Sequence, residues 1–364
     1  MARWVADRSA LNDALAALRT STRLALDTEF ERIRTYWPKL ALVQAMLPNE
    51  AVLIDPLAFD ALHDLGDAIS QPGQTWLMHS PSEDLVALTP LLPRPPEALV
   101  DTQLAAALAG LGTGLGYQKL VALVLGVELE KTETRSDWMQ RPLSDRQFAY
   151  AADDVVHLDA LGDALLERLD TLGRRNWVTQ EGDRTLRAAF TQNAPVNLHH
   201  DYRSAWKLDG DAQRRLDAVL RWREQTARDC DRPKPWLIDN QVAHDLAAKP
   251  PTQAADLQRM LQAQRAFPRA KMGDLLDLLR DPPRHDDFIP APKPFSRDEE
   301  TALDRLKAGI EAEAAALGLE PSLLAPRKAQ EARLRAGSWP SDLPAWRRER
   351  LDTIARNTLD ATPG

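Results

Sequence analysis

Asp27 and Glu29 form an Asp-x-Glu pair directly after the apolar stretch Leu24 to Leu26. If this stretch is a β-strand, the two side chains project from one face, about 7 Å apart along the backbone, and could share one cation. The spacing alone is a weak signal, because such pairs are usually solvated, and Asp298 and Glu300 repeat it after a proline-rich stretch. The strand context favours Asp27 and Glu29, because ligands of α/β folds gather at strand ends.

A second acidic segment, His79 to Leu85, follows another apolar run and leads into a predicted helix. Ser80 or Ser82 is expected to cap this helix, and acidic residues in a first turn are favoured by the helix dipole. Asp84 is therefore either an ordinary first-turn residue or a further metal ligand. His79 is more often a satisfied histidine at a strand end than a ligand.

The third element, Tyr150 and Asp154, has a spacing of four residues within a predicted helix. Side chains at this spacing project from the same helix face, whereas Asp153 points about 100° away from Asp154. Geometry therefore selects Asp154 as the partner of Tyr150. The alternative is that Tyr150 only packs beside the apolar stripe of this helix.

The elements that must position these residues are predicted from apolar periodicity. Short apolar runs alternate with helical patterns up to about residue 190, which indicates one α/β domain. We expect strands at 24–26, 40–46, 51–54, 76–79 and 99–100, and helices at 11–19, 103–108, 118–125 and 145–169. The last helix begins with Ser144 and Gln147 at capping-box spacing.

Beyond residue 190 the chain is expected to form two smaller helical units. Residues 191–204 are polar without clear periodicity, and residues 281–296 contain five prolines, which suits a stiff linker. The segment Pro235 to Ile238 recurs approximately as Pro321 to Leu324, at an offset of 86 residues (321 − 235). The two units are therefore either copies of one unit or similar by chance.

Composition limits the class of protein and its compartment. The only cysteine among the 364 residues is Cys230, which excludes an internal disulfide framework and every multi-cysteine metal site. No run of eighteen apolar residues occurs, and the first ten residues lack an apolar core. We therefore expect a soluble, cytoplasmic protein that has no membrane partner.

The net charge of −8 is unusual for a protein that binds nucleic acid, but it is local. Residues 1–200 hold 18 Lys and Arg against 27 Asp and Glu, whereas residues 201–364 hold 28 against 27. The acidic first half suits a carboxylate metal site, although ordinary acidic surface would give the same excess. Five basic side chains on or near one helix form either an RNA path or a solvated face: Arg214, Arg215, Arg221, Arg223 and Arg228.

In their order and spacing, the three acidic elements resemble the exonuclease motifs of the DEDD superfamily, in the subclass with tyrosine. A histidine-type member would carry His where Ala149 stands. Further segments resemble the ribonuclease D family: Arg34 to Leu40, Asp101 to Gln103, Lys131, Ser136 to Trp138 and Arg141 to Ser144. The helical units resemble HRDC domains, the first through Leu220 to Glu224, Ala227, Arg228 and Pro235 to Ile238, the second mainly by position.

The resemblance implies a ribonuclease H-like 3′–5′ exonuclease domain with a mixed sheet and flanking helices at residues 1–195. Two all-α domains would follow, an HRDC domain at 203–284 and an HRDC-like domain at 296–360. It also implies two divalent ions, Mg²⁺ or Mn²⁺, which suit four hard oxygen ligands. Asp27, Glu29 and Asp154 would hold one ion, Asp27 would bridge to a second that is supported by Asp84, and Tyr150 would orient the attacking water.

Three functions remain open from the sequence. The leading one is a 3′–5′ exoribonuclease that trims precursor tRNA and other structured RNA 3′ ends, because the resemblance is to ribonuclease D. The others are a 3′–5′ DNA exonuclease, because this carboxylate set is shared with such enzymes, and a non-catalytic RNA-binding scaffold. A complete RecQ-type helicase is excluded, because the sequence has no Gly-x4-Gly-Lys-Ser/Thr phosphate-binding loop.

Overall fold

The computed structural model describes residues 2–60, 62–130, 133, 136–191 and 197–359. The chain forms two compact units, one comprising Met1–Glu31, Leu40–Thr191 and Phe295–Gly364, the other Arg32–Lys39 and Gln192–Pro294. Lys131 and the predicted domain ends at residues 195 and 360 lie outside the described residues. In the part of the chain that the structure describes, no helix combines the length and apolar character needed to cross a bilayer.

A six-stranded mixed sheet forms the centre of the first unit, in the order β1-β4-β3-β2-β5-β6. β3 and β4 are antiparallel, whereas β1 pairs with β4, β2 with β5, and β5 with β6 in parallel. The sequence-based expectation of a mixed α/β fold is therefore confirmed. The strands are β1 (Ala2–Val5), β2 (Arg23–Glu31), β3 (Lys39–Met46), β4 (Ala51–Ile54), β5 (Thr75–Met78) and β6 (Ala98–Asp101).

The first strand, β1, was not expected from the sequence. It lies at the edge of the sheet, and only Val5 of its four residues is fully buried. Arg3 lies on this strand and forms an ion pair of 2.9 Å with Glu50. A short edge strand with one buried side chain and a charged one has almost no apolar alternation, so its pattern resembles that of a loop.

Eight helices precede residue 191 in the first unit, among the residues that the structure describes. The capping box of Ser144 and Gln147 is present as predicted. The expected cap on the third helix is wrong, because Pro81 occupies the cap position and no side chain bonds there. The helices are α1 (Arg8–Thr20), α2 (His63–Ile69), α3 (Ser82–Leu88), α4 (Thr102–Leu108), α5 (Tyr117–Leu125), α6 (Asp145–Val156), α7 (Leu158–Thr171) and α8 (Arg175–Phe190).

The single helix expected over residues 145–169 is two helices in the structure. α6 ends at Val156 and α7 begins at Leu158, with His157 between them at φ −99° and ψ −5°. The His157 amide bonds to the carbonyl of Val155, so the helical i to i−4 ladder is interrupted there. The apolar pattern continues through this break, which is why the sequence did not show it.

The second unit is helical and has its own apolar core, which includes Leu216, Val219, Leu246 and Leu275. Residues 281–296, expected to be a proline-rich linker, contain no helix or strand up to Ser296, which caps the next helix. The helices of this unit are α9 (Gly210–Cys230), α10 (Lys234–Leu237), α11 (Asn240–Ala248), α12 (Ala254–Met260) and α13 (Met272–Arg280).

The five arginines expected to form an RNA path or a solvated face all have partners inside the second unit. Three of them bond to carboxylates one turn earlier on α9, and two bond to backbone carbonyls of other segments. The pairs are Arg214 with Asp211, Arg221 with Asp217, Arg228 with Glu224, Arg215 with the carbonyl of Ala247, and Arg223 with the carbonyl of Ile238.

The last four helices belong to the first unit and share a core with it. They are α14 (Arg297–Leu317), α15 (Pro321–Leu324), α16 (Arg327–Ala336) and α17 (Ala345–Leu359). Ile310 of α14 lies in one apolar cluster with Leu165 of α7 and Val178 of α8. The rings of Trp177 and Trp346 stack with their centroids 4.2 Å apart. These helices therefore pack directly on the domain that contains the sheet.

The helical pattern occurs twice, which supports the interpretation as copies. α9 and α14 each have 21 residues, α10 and α15 each have four, and each pair begins 87 residues apart (297 − 210; 321 − 234). The structural offset is one residue larger than the offset read from the sequence. Both long helices end in a left-handed residue, Asp231 and Gly318. The copies then diverge, because α12 and α13 of the first are replaced by α17 alone.

Candidate active site

The first carboxylate pair lies on the central strand β2, on the same face. Ala25 of this strand packs in one apolar cluster with Ala152 and Val155 of α6, whereas Leu24 and Leu26 pack in another. Because side chains alternate along a strand, Asp27 and Glu29 follow Ala25 toward α6. The sheet therefore directs both carboxylates toward the helix that carries Tyr150 and Asp154.

Four of the five predicted site residues line one cavity of about 180 Å³ in the first unit. The strand β2 contributes two of them and α6 the other two. The pairs predicted from local spacing are therefore also brought together by tertiary packing. The cavity is lined by Asp27, Glu29, His79, Tyr117, Gln118, Tyr150, Asp154 and Leu158.

Asp84 does not line the cavity itself, but it lies beside Asp27. It is buried in the first turn of α3, where it accepts a hydrogen bond of 2.5 Å from the Thr28 hydroxyl, between Asp27 and Glu29 on β2. Burial is the largest cause of the raised pKa of Asp27, and the charge of Asp84 is the second largest. The three segments separated in sequence thus meet at one place.

Burial raises the pKa of every carboxylate in this group, and repulsion between members raises it further for Asp27, Glu29 and Asp154. Burial, then Asp84, Asp154 and Glu29, raise the pKa of Asp27 well above its usual range. Burial, then Asp154 and Asp84, raise the pKa of Glu29 to about 9. Burial, then Asp153 and Asp84, raise the pKa of Asp154 to about 7, and burial raises that of Asp84 to about 6. The site therefore concentrates negative charge that lacks compensation.

A divalent ion fits this donor set by charge and chemistry. Among the described residues, no group of three or more His, Cys, Asp or Glu side chains is already arranged to hold a metal ion. A hard divalent cation would supply the missing positive charge, and Mg²⁺ and Mn²⁺ prefer such oxygen ligands. The metal ligands themselves remain a prediction.

Tyr150 is buried against Trp138, with the ring centroids 6.0 Å apart. Burial, then the charges of Asp154, Glu29 and Asp27, raise the pKa of its phenol far above the usual value. The phenol is therefore protonated and able to donate a hydrogen bond. A protonated phenol is a poor general base at neutral pH but can orient a water molecule.

Two residues of α5 line the cavity and were not expected from the sequence, Tyr117 and Gln118. The Tyr117 hydroxyl donates to the carbonyl of Asp153 over 3.1 Å, which connects α5 to α6. The available signal was the glycine-rich stretch from Gly110 to Gly116 just before the helix, which brings a helix N-terminus to the site. Neutral polar residues in that position follow no metal-ligand or acid–base spacing.

His79 also lines the cavity, at the end of β5. Its Nδ1 lies 2.9 Å from the Thr102 hydroxyl, as expected for a satisfied histidine at a strand end. Nε2 has no hydrogen-bond partner among the residues described. Burial lowers the pKa of His79 to about 4, so the ring is neutral near pH 7.

Comparisons with known proteins identify the family to which this chain belongs. A model of the 3′–5′ exonuclease family matches residues 2–170. A ribonuclease D from Xanthomonas oryzae is 42% identical, with 100% of this chain and 99% of that protein covered. The chain belongs to the ribonuclease D family. A ribonuclease D from Pseudomonas paraeruginosa is 33% identical, with 98% and 97% of the two chains covered.

Solved structures agree with the membership in the ribonuclease D family. The crystal structure of Escherichia coli RNase D, an exoribonuclease involved in structured RNA processing, has a TM-score of 0.86 at 27% identity and 100% coverage of both chains. A protein from Bifidobacterium adolescentis shares the fold, with a TM-score of 0.70 at 20% identity. The present ribonuclease D family member is accordingly a hydrolase, a 3′–5′ exoribonuclease, as the sequence led us to expect.

Proposed function

We propose that this ribonuclease D family member trims the 3′ ends of precursor tRNA and other stable RNAs and releases nucleoside 5′-monophosphates. The supporting observation is the cavity in which Asp27, Glu29, Tyr150 and Asp154 meet, with Asp84 beside it. The Escherichia coli relative, which matches along the whole chain, is involved in structured RNA processing. The same class of substrate is proposed here.

We propose Asp27, Glu29 and Asp154 as ligands of one divalent ion, and Asp27 with Asp84 as ligands of a second. Mg²⁺ or Mn²⁺ would polarise the scissile phosphate and lower the pKa of the attacking water. The four carboxylates favour this use because their raised pKa values show that the chain places no sufficient positive charge beside them, and a divalent cation would supply it in place of protons.

We propose that Tyr150 positions the attacking water. Its phenol is protonated and lies at the wall of the cavity beside Asp154, so it donates a hydrogen bond to an oxygen placed there. Gln118, whose side chain hydrogen-bonds with Tyr150, and Tyr117 present neutral polar groups on the wall, where they would contact the terminal nucleotide without adding charge.

The decisive experiment compares 3′-extended tRNA, single-stranded RNA and single-stranded DNA of matched sequence as substrates. We expect nucleoside 5′-monophosphates from the free 3′ end of the RNAs, loss of release in chelator, and recovery with Mg²⁺. Equal release from DNA would favour the DNA exonuclease. Binding without release in the presence of Mg²⁺ or Mn²⁺ would favour the non-catalytic scaffold.

We further propose that residues 203–284 form an HRDC domain and residues 296–360 an HRDC-like domain, after an exonuclease domain at 1–195. The recurrence of a 21-residue helix followed by a four-residue helix supports two related helical units. A cytoplasmic location is also proposed, where precursor RNA and a reducing environment would suit the exposed free thiol of Cys230.

A further inference from the structure

A cavity of about 300 Å³ lies in the second unit, between α12 and the start of α13. This volume is at the lower end of the range for small-ligand sites, roughly 300–1,000 Å³. Its rim carries the exposed side chains of Arg265, Arg269, Gln258 and Gln262. The wall includes Phe267, which is buried.

The lining of this cavity carries positive charge without a neighbouring carboxylate. In the described part of the chain, neither the Arg265 nor the Arg269 guanidinium has an ion-pair or hydrogen-bond partner. None of the described residues that line the cavity is acidic. By contrast, Arg259 on the preceding helix forms an ion pair with Asp256. The two rim guanidinium groups are therefore available to an anionic ligand.

The cavity is preformed by contacts inside the unit. Phe267 stacks on Trp222, with the ring centroids 5.7 Å apart and the planes 25° apart. The Gln264 amide donates to Asp239 over 2.7 Å, which fixes the segment between the two rim arginines and α12. A rigid aromatic wall, two amide side chains and two free guanidinium groups together match the parts of a nucleotide: a base and its phosphates.

We propose that this cavity binds one nucleotide of a single-stranded RNA segment, with Arg265 and Arg269 on its flanking phosphates and the base against Phe267. The proposal rests on the proposed function, in which RNA is the substrate. Charge complementarity favours RNA as the ligand. Arg265 and Arg269 have no ion-pair partner among the described residues and no carboxylate lines the cavity, so the site suits a polyanion. An acidic protein segment is the competing ligand, and the test below separates the two.

The test measures binding without hydrolysis, so its result does not depend on the catalytic residues. A fluorescein-labelled single-stranded oligoribonucleotide with a blocked 3′ end is titrated with the full chain by fluorescence anisotropy at several salt concentrations. The Arg265→Gln/Arg269→Gln variant should bind about tenfold more weakly at low salt. Loss of two phosphate contacts should make the log–log salt dependence shallower by about 1.4, at about 0.7 per contact.

The matched control is Arg259→Gln, which removes the same charge from an exposed, paired side chain outside the cavity. It should leave the affinity and the salt dependence nearly unchanged. A second pair adds a carboxylate instead: Gln262→Glu on the rim should weaken binding, whereas Gln253→Glu outside the cavity should not. These exposed side chains can be replaced without disturbing the core.

Two outcomes would overturn the proposal. Unchanged affinity and salt dependence in the double variant would show that RNA does not use the cavity, which leaves the protein ligand. Equal losses in the double variant and in Arg259→Gln would show only a general charge effect. Either result leaves the proposed function intact, because mononucleotide release by the unsubstituted chain is measured separately; lack of that release would count against the proposed function alone.

Discussion

Two kinds of buried carboxylate occur in this molecule, and they differ in the charge beside them. In the helical parts, Glu181 on α8 forms an ion pair of 2.6 Å with Arg347 on α17. Asp217 on α9 lies 2.6 Å from Arg221 and 3.1 Å from His199. Each of these carboxylates is buried together with a cation that the chain provides.

The active-site carboxylates are buried against one another instead. Burial alone would raise the pKa of Asp217, but the hydrogen bonds from His199 and Arg221 and the Arg221 charge hold it below its usual value. The pKa of Asp27 is shifted in the opposite direction by burial and three neighbouring carboxylates. A carboxylate paired within the chain stabilises the fold, whereas an unpaired cluster is suited to binding an added cation.

The largest effect is expected from removing an unpaired carboxylate. Asp27→Ala or Asp154→Ala should lower mononucleotide release by about 10³-fold or more, because a proposed ligand of the catalytic ion is lost. Thermal unfolding in chelator should show equal or higher stability, because each change removes one of several repelling charges. Near-normal turnover in either variant would contradict the assignment.

Removing the cation that pairs with a buried carboxylate should instead lower stability and leave activity largely intact. Arg347→Met leaves buried Glu181 with one cation, Arg184 at 3.0 Å, and with the hydrogen bond from the Trp346 indole at 3.0 Å, so the free energy of unfolding should fall by about 3 kcal/mol. Urea unfolding measures this loss. Release of mononucleotides at low temperature should persist, because neither residue lines the active-site cavity.

The double variant Glu181→Gln/Arg347→Met is the control for this second prediction. It removes both charges and should recover part of the lost stability. Equal stability of the single variant and the unsubstituted chain would show that the pair does not hold α17 on α8. The stacked rings of Trp177 and Trp346 would then be the main connection between these helices.

Local spacing is what made most of the candidate site predictable. Asp27 with Glu29, and Tyr150 with Asp154, are separated by two and four residues, and the periods of strand and helix fix which face such pairs share. Glu181 and Arg347 lie 166 residues apart (347 − 181), and no spacing rule connects them. Their pairing depends on how α17 packs, which only the tertiary structure shows.

The same distinction explains the other differences from the sequence-based expectations. The apolar pattern continues unchanged through the break at His157. The edge strand β1 has almost no apolar alternation, so hydrophobic periodicity predicted neither feature. The five arginines of the second unit were predicted only as charges on or near one helix. Three of their partners lie one turn earlier on α9, and the other two are carbonyls of other segments. A count of basic residues cannot distinguish Arg221, paired with Asp217, from Arg265, which has no ion-pair partner in the described chain.

Tyr150→Phe tests the neutral participant in the charged site. Turnover should fall by roughly 10²-fold, the range for losing a group that positions the nucleophile. Mg²⁺ affinity, measured by calorimetry, should change little, because the phenol is protonated and contributes no charge. Loss of Mg²⁺ binding would make Tyr150 a support of the site rather than a participant in the reaction.

The two kinds of carboxylate should also respond oppositely to pH. The pKa values of Asp84 and Asp154 are raised in the folded state to about 6 and about 7, so their contribution to stability in chelator is lost as pH rises from about 4 through 7. The pKa of Asp217 is lowered, so its contribution is present above about 4 and lost as pH falls.

Thermal unfolding in chelator at a series of pH values measures this difference. Asp154→Asn should flatten the loss of stability between about pH 4 and about pH 7, the interval between the usual and the raised pKa of Asp154. Mg²⁺ should stabilise the unsubstituted chain more at the upper end of this range, because protons compete with the ion at the lower end. A pH-independent Mg²⁺ effect would show that the cluster does not bind the ion.

The smallest effect is expected from Asp153→Ala, the matched control for Asp154→Ala on the same helix. Asp153 does not line the active-site cavity, and only its backbone carbonyl is bonded there, by Tyr117. Its carboxylate is the second cause, after burial, that raises the pKa of Asp154. Removing it should lower that pKa, so Mg²⁺ would compete with protons slightly better. The pH–rate profile should therefore shift toward lower pH by less than about one unit, with a similar maximal rate. A collapse of turnover like that of Asp154→Ala would mean that Asp153, not Asp154, faces the ion.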